Sequence, residues 1–158
     1  MPKHYYADGS ALSKIFIPQV GSETLDRILD WEGSVLHFST AGLLEVRSFL
    51  ARRLIRRALD LSRYKDVLSR IADFVPEWEE SGKFKRIEFR EAWEDEAAHL
   101  IDEARKVRIV LDAPDAIHAV LAQKAGPAGE LAVVSTSEPL LEVAERLGLG
   151  VIALEDVY

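Results

Sequence analysis

Apolar residues recur along the chain at two spacings, every second position and every third or fourth, and the two spacings alternate. His4-Tyr5-Tyr6-Ala7 is a short β-prone run that stops at Asp8-Gly9-Ser10. A helix is expected from residue 10 to about 16, and Pro18 breaks it. Leu25, Ile28 and Leu29 fall at helical spacing in a second helix over 21–31. Residues 35–38 predict a second strand, with Ser39 and Thr40 suited to capping the helix after it. Leu43, Val46, Leu50 and Leu54 mark one face of that long helix, over roughly 40–58. Another helix over 60–75 is expected to end at Pro76, and Glu79-Glu80-Ser81-Gly82 reads as a loop. Alternation through Arg86-Ile87-Glu88-Phe89 predicts a short strand over 85–89, and 91–107 is strongly helical. The next helix opens at Ala113 with Pro114 in its first turn, where a missing N–H costs little. It carries Ile117, Val120 and Leu121, and Gly126-Pro127 ends it. Residues 131–134 predict a buried strand, 138–147 a helix stopped by Gly148, and 151–154 the last strand. Strands alternating with helices predict a parallel sheet covered on both faces. No internal repeat, low-complexity tract or linker interrupts the pattern, so a single domain over 1–158 is expected.

Composition narrows the class further. Apolar residues make up 48% and charged residues 30%, which is enough for one core and too apolar for a disordered chain. Cysteine is absent, which removes disulfides, thiol nucleophiles and thiolate metal sites. Residues 1–12 carry one lysine and no long apolar core, so no signal peptide is expected. No apolar run approaches the roughly 18 residues of a membrane helix. A cytoplasmic protein without membrane contact is the expectation. The formal charge is −7, with 27 acids against 20 bases, which taken alone argues against nonspecific nucleic-acid binding. Distribution matters more than the total, because a cation bound among clustered carboxylates changes their local field.

In an open parallel sheet, ligands bind beyond the carboxyl ends of the strands, near a switch in strand order. Asp8 directly follows the first strand, where an acid either serves chemistry or caps the next helix. Glu45 lies inside the helix after the second strand, where a solvated glutamate is the competing reading. Asp115 opens the helix at Ala113, with His118 three residues on along the same face. An acid there also suits the positive helix end. His118 suits either a hydrogen bond to that carboxylate or a packed place in the core, and a structural role is favoured over a metal role. Three acids brought together repel one another unless a cation neutralises them. Oxygen-only ligands select a hard ion such as Mg²⁺ or Mn²⁺. Such an ion activates water for attack on phosphorus and needs no cysteine or serine nucleophile.

Four blocks containing these residues stand in order. They are Tyr6-Ala7-Asp8-Gly9-Ser10-Ala11-Leu12-Ser13-Lys14, Phe38-Ser39-Thr40-Ala41-Gly42-Leu43-Leu44-Glu45-Val46, Leu111-Asp112-Ala113-Pro114-Asp115-Ala116-Ile117-His118-Ala119 and Val133-Val134-Ser135-Thr136-Ser137-Glu138-Pro139-Leu140. Together they resemble the PIN-domain family, and within it the VapC-type toxin ribonucleases. The resemblance implies a three-layer α/β/α fold around a central, mostly parallel twisted sheet of about five strands. It implies a Mg²⁺-dependent endoribonuclease, with Mn²⁺ as a substitute, that cleaves single-stranded RNA. It also implies the toxin role in a type II toxin–antitoxin pair, a small antitoxin protein as partner, and a homodimer. Asp8, Glu45 and Asp115 match the family's three main acids and are the expected metal-binding and catalytic residues. Where many members carry a further Asp, this chain has Ser137, which brings no charge. Ser137 would be a weak ligand or hold a metal-bound water, and the adjacent Glu138 is a candidate substitute although it projects differently from the backbone. Residues 60–96 match none of these blocks and are assigned only structural and partner-binding roles. The alternative is a catalytically weakened PIN-like module that binds RNA or protein, and Ser137 is its motivation.

Other residues complete the expectation. Ser10 and Thr40 either orient the Asp8 loop or a metal-bound water, or act as caps. Arg47, Arg52 and Arg53, with Arg56 and Arg57, share one helix and either track RNA phosphates or form a solvated edge for an acidic partner. Trp31, Trp78 and Trp93 are better read as core or dimer contacts than as base-stacking platforms. No Gly-x-x-x-x-Gly-Lys loop and no Gly-x-Ser-x-Gly elbow is present. Gly148-Leu149-Gly150 precedes a strand, so it is no dinucleotide fingerprint. A phosphatase with an aspartyl nucleophile at Asp8 would need a second acid two residues on, where Ser10 stands.

Overall fold

A computed structural model of the chain describes residues 3–156. Met1 and Pro2, part of the amino-terminal stretch expected to carry no signal peptide, lie outside the described residues, as do Val157 and Tyr158. The elements run β1 (His4–Ala7), α1 (Gly9–Phe16), α2 (Ser22–Asp30), β2 (Val35–Phe38), α3 (Thr40–Ile55), α4 (Leu61–Ser81) and β3 (Phe84–Arg86). A 3₁₀ turn at Glu91–Trp93 leads into α5 (Glu94–Lys106), followed by α6 (Ala113–Ala125), β4 (Leu131–Ser135), α7 (Glu138–Arg146) and β5 (Gly150–Ala153).

The five strands form one sheet in the order β3-β2-β1-β4-β5, and every pairing is parallel. Tyr5 pairs with Leu36 on one side and with Ala132 on the other. Successive side chains of β1 then enter different cores, because a strand alternates faces. Tyr5 and Ala7 join Leu12, Phe16, Leu25, Val46, Leu50 and Val67 under α1 to α4. Tyr6 joins Leu100, Val120, Leu121, Leu140 and Val143 under α5 to α7. All five residues of β4 are buried, as a strand covered on both faces requires. The result is the three-layer α/β/α arrangement, with a sheet that is parallel throughout.

Three local expectations differ from the observed elements. Helix α4 does not stop at Pro76; it continues to Ser81 and ends at Gly82, whose φ of 73° is left-handed. Residues 79–81 are therefore helical rather than loop. The reason lies just beyond the proline, where Trp78 stacks on Phe84 with ring centres 4.3 Å apart and on Phe16 at 5.1 Å. Burial of that indole offsets the hydrogen bond that proline removes. The third strand occupies 84–86 rather than 85–89, and α3 ends at Ile55, short of residue 58. Arg57 follows with φ 57°, which turns the chain out of the helix.

From β1 the chain moves outward through β2 to β3 at one edge, then returns to the other side of β1 for β4 and β5. The strand order therefore reverses between β1 and β4. At such a switch the connections leaving the two strands diverge and open a crevice beyond the carboxyl ends. Asp8 and Ser135 stand at those two ends.

Candidate active site

Asp8 leaves β1 in an extended conformation and caps α1. Its Oδ1 accepts from the Ala11 N–H at 3.1 Å and from the Ser10 hydroxyl at 2.6 Å. Its Oδ2 accepts from the Ser135 hydroxyl at 2.6 Å. The residue is 2% exposed, so these donors stand in for water. Ser10 also accepts from the Thr136 N–H at 2.9 Å, which ties the start of α1 to the end of β4.

A line of hydroxyls connects this acid to the next. Ser135 Oγ accepts from the Ser137 N–H at 2.9 Å, and Ser137 Oγ donates to Asp115 Oδ2 at 2.7 Å. Ser137 is also the cap of α7. Asp112, not Asp115, caps α6: its side chain accepts from the Asp115 N–H at 3.0 Å. With Asp112 as cap, the Asp115 carboxylate is left for Ser137.

Glu45 arrives from the opposite side on α3, whose start is pressed against α1. A Cβ added at Gly9 would collide with the Glu45 side chain and lie 2.9 Å from the Gly42 carbonyl oxygen. Only glycine at position 9 allows this approach. The Gly9 N–H points at Glu45 Oε1 at 3.4 Å. The other contact is with His118, whose Nε2 donates to Glu45 Oε1. His118 Nδ1 is engaged by the Tyr6 hydroxyl at 2.6 Å, and that hydroxyl lies 3.4 Å from Ser39 Oγ. His118 is wholly buried while the Glu45 side chain is 37% exposed, so one end of this chain is in the core and the other faces solvent.

The charges reflect the crowding. Burial holds the Asp8 carboxyl above its usual range, against the pull of His118 and the three donors around it. Burial also pushes Asp115 up to about 6, and the charges of Asp112 and Asp8 add to the rise. Burial alone would lower His118, but Glu45 first, and then Asp8 and Asp115, outweigh it and leave the imidazole raised. One imidazole therefore lies in the field of all three carboxylates.

The remaining predicted site residues are more scattered. Ser10 sits on Asp8. Thr40 is turned toward the β3 side, where it donates to Glu88 at 2.7 Å and accepts from Arg86 at 3.0 Å. Glu138 is exposed in the first turn of α7, and Arg47 is exposed on α3. Arg52 and Arg53 line a cleft that also contains Glu45, Gly9 and Ser10. The expectation for His118 is either a bond to Asp115 or a packed place in the core; it is fully buried and bonds Glu45, while the Asp115 carboxylate accepts from Ser137. Of the tryptophans, Trp78 is half-buried and packs against the core, Trp93 meets Phe89 edge-on, and Trp31 is 48% exposed. Sequence reasoning missed Ser135, Tyr6 and Gly9. The hydroxyl run Ser135-Thr136-Ser137 was the available signal for the first, and nothing local marks the other two.

Among the described residues, no three His, Asp or Glu side chains stand in a ready-made ion cage. No described helix is long and apolar enough to cross a membrane.

A parallel sheet flanked by helices on both faces, with Asp8 and Ser135 at the strand ends of its switch point, defines the class. The PIN domain family model matches residues 5–146, and the chain belongs to that family. No curated protein matches the sequence. Among solved structures, FitAcB from Neisseria gonorrhoeae shares the fold with TM-score 0.65 and 18% identity, over 94% of this chain and 96% of that one. FitAB bound to an IR36 DNA fragment gives TM-score 0.66 and 17% identity, over 98% and 99%. VapBC2 from Rickettsia felis, bound to a DNA fragment from their promoter, gives 0.62 and 12%, over 96% and 99%.

Proposed function

We propose that this protein is a metal-dependent endoribonuclease acting on single-stranded RNA, and the toxin of a type II toxin–antitoxin pair in the cytoplasm. PIN domains are generally nucleases and typically use divalent metals. The observation that carries the reading is the position of His118, bonded to Glu45 and within the field of Asp8 and Asp115. It supports the gathering of three acids from separate elements at the switch point. The toxin role rests on the four sequence blocks and on the fold shared with FitAB and VapBC2. A small antitoxin protein and a second copy of the chain are the proposed partners, with residues 1–158 acting as one domain.

The donor set fits a hard divalent ion. It is all oxygen, and two of its members, Asp8 and Asp115, are held above the usual carboxylate range by burial. Asp8, Glu45 and Asp115 would hold Mg²⁺, or Mn²⁺ in its place. When bound, such an ion stabilises charge developing on the phosphoryl oxygens and acidifies water. The chain's own part is to hold the carboxylates. Ser10 and Ser135 fix both oxygens of Asp8, His118 fixes Glu45, and Ser137 orients Asp115.

The alternative is a PIN-like module that binds RNA or protein with weakened catalysis. It draws on Ser137, a neutral hydroxyl donating to Asp115 where a further acid would add charge. One experiment separates the two. Labelled single-stranded RNAs are incubated with wild type and Asp8→Asn in Mg²⁺, Mn²⁺ or chelator. Metal-dependent cleavage that disappears in the variant is expected. Cleavage retained by a folded Asp8→Asn protein would falsify the assignment of the site, and RNA binding without turnover by wild type would favour the module.

A further inference from the structure

A cleft of about 380 Å³ opens beside the carboxylates, and its lining is unlike theirs. Gly9, Ser10, Glu45 and Thr136 form the wall it shares with the acid site. Four cations line its other side: Arg52, Arg53 and Arg56 from α3 and its end, and Lys14 from α1. Among the described residues two carboxylates line it, Glu45 and Asp156, against these four cations; Glu45 is engaged by His118, and the charges of Asp156 and Glu155 act on Lys14. Lys14 is buried and spends one of its three N–H donors on the Val20 carbonyl oxygen at 2.7 Å. Among the described residues, the side chains of Arg52 and Arg56 form no salt bridge. Phe49 also lines the cleft, with the Arg53 guanidinium 5.4 Å from its ring centre. Aromatic rings and guanidinium planes are the groups on which nucleobases stack.

We propose that this cleft is a nucleotide subsite, in which Arg52, Arg56 and Lys14 hold the phosphodiester flanking the one placed at the acids, and Phe49 with Arg53 faces its base. The proposal deepens the ribonuclease reading and rests on it. Three considerations favour a nucleic-acid strand. The volume lies in the range of small-ligand pockets, roughly 300–1,000 Å³. The cleft meets the proposed acid site at Glu45 and Ser10, so a strand whose phosphate lies at the acids must run on into it or away from it. The chain as a whole carries −7, so a polyanion needs a local concentration of cations to approach the acids at all. Arg47, grouped with Arg52 and Arg53 by its place on the same helix, is not part of the lining, whereas Arg56 and Lys14 are.

The test measures binding rather than turnover. Fluorescence anisotropy of a short labelled single-stranded RNA is followed in chelator, across about 50–200 mM salt. Wild type is compared with Arg52→Gln/Arg56→Gln and with Arg105→Gln/Arg146→Gln, a charge-matched control on α5 and α7. The first variant should lose affinity by about tenfold, and its salt slope should shrink by about 1.4, two contacts at about 0.7 each. The control should bind as wild type does. Equal loss in both variants, or none in the first, overturns the subsite. Loss of binding to a polyglutamate peptide with RNA binding unchanged also overturns it, and points to an acidic protein partner instead. Each of these results leaves the nuclease reading to the Asp8→Asn cleavage assay, so the two ideas fail separately.

Discussion

Glu45 and His118 are 73 residues apart in the chain and hydrogen-bonded in the fold. Because a carboxylate only accepts, Nε2 carries the proton. Nδ1 faces the Tyr6 hydroxyl, which donates on to Ser39 Oγ. The chain from Tyr6 through His118 thus sets the direction of Glu45 from inside the core. Removing a partner that orients a metal-binding group typically lowers metal affinity or activity about 10–100-fold. His118→Ala should do so here, and His118→Gln should recover part of the loss. Calorimetric titration with Mn²⁺ checks it; unchanged affinity in a folded His118→Ala protein would count against an orienting role.

Ser135 gives its proton to a carboxylate that has almost no access to water. Ser135→Ala leaves Asp8 Oδ2 without this donor. Leaving a buried acceptor unpaired costs about 1–3 kcal/mol. Urea denaturation in chelator should show a loss of that size, and a loss well below it would mean that water reaches Asp8.

Asp115 makes the metal-free protein sensitive to pH. Its carboxyl is raised from 3.8 to about 6, mainly by burial. Between those values the folded state binds more protons than the unfolded one, so stability falls as pH rises through this window and stays lower above it. Asp115→Asn removes this contribution and leaves the one from Asp8, which burial also raises. Its melting temperature in chelator should exceed that of wild type at pH 7, and the gap should close toward pH 4. A gap independent of pH would contradict the assignment. Metal binding should weaken as pH falls through about 6, since protons compete for the same oxygens.

Gly9 sets how near α3 lies to Asp8. Gly9→Ala forces a methyl group into the Glu45 side chain and the Gly42 carbonyl. Overpacking of this kind costs about 1–3 kcal/mol. The variant should melt lower than wild type and lose metal-dependent cleavage more than it loses helix content. Full activity with an unchanged melting temperature would show that α3 moves freely.

Local signals account for much of this protein. The strand at His4–Ala7, the Asp8 cap, the α6 start at Ala113 and the stop at Gly148 reflect spacing, capping and backbone freedom, which act within a few residues. The acids could be picked out because Asp8 falls just after a strand, Glu45 in the helix that follows the second strand, and Asp115 in the first turn of a helix marked by Pro114. Helix α4 escapes such reasoning because Pro76 is a local signal, and the packing of Trp78 on Phe16 and Phe84 overrides it from distant parts of the chain. The partners of the acids are out of reach for the same reason. Ser135 meets Asp8 across 127 residues, and His118 meets Glu45 instead of the nearer Asp115. Sequence by itself determined which residues are chemically suited to the site and which elements carry them. Only the tertiary structure decided which of them meet, because the order β3-β2-β1-β4-β5 places β1 beside β4, and sheet order is a long-range property that no local pattern encodes.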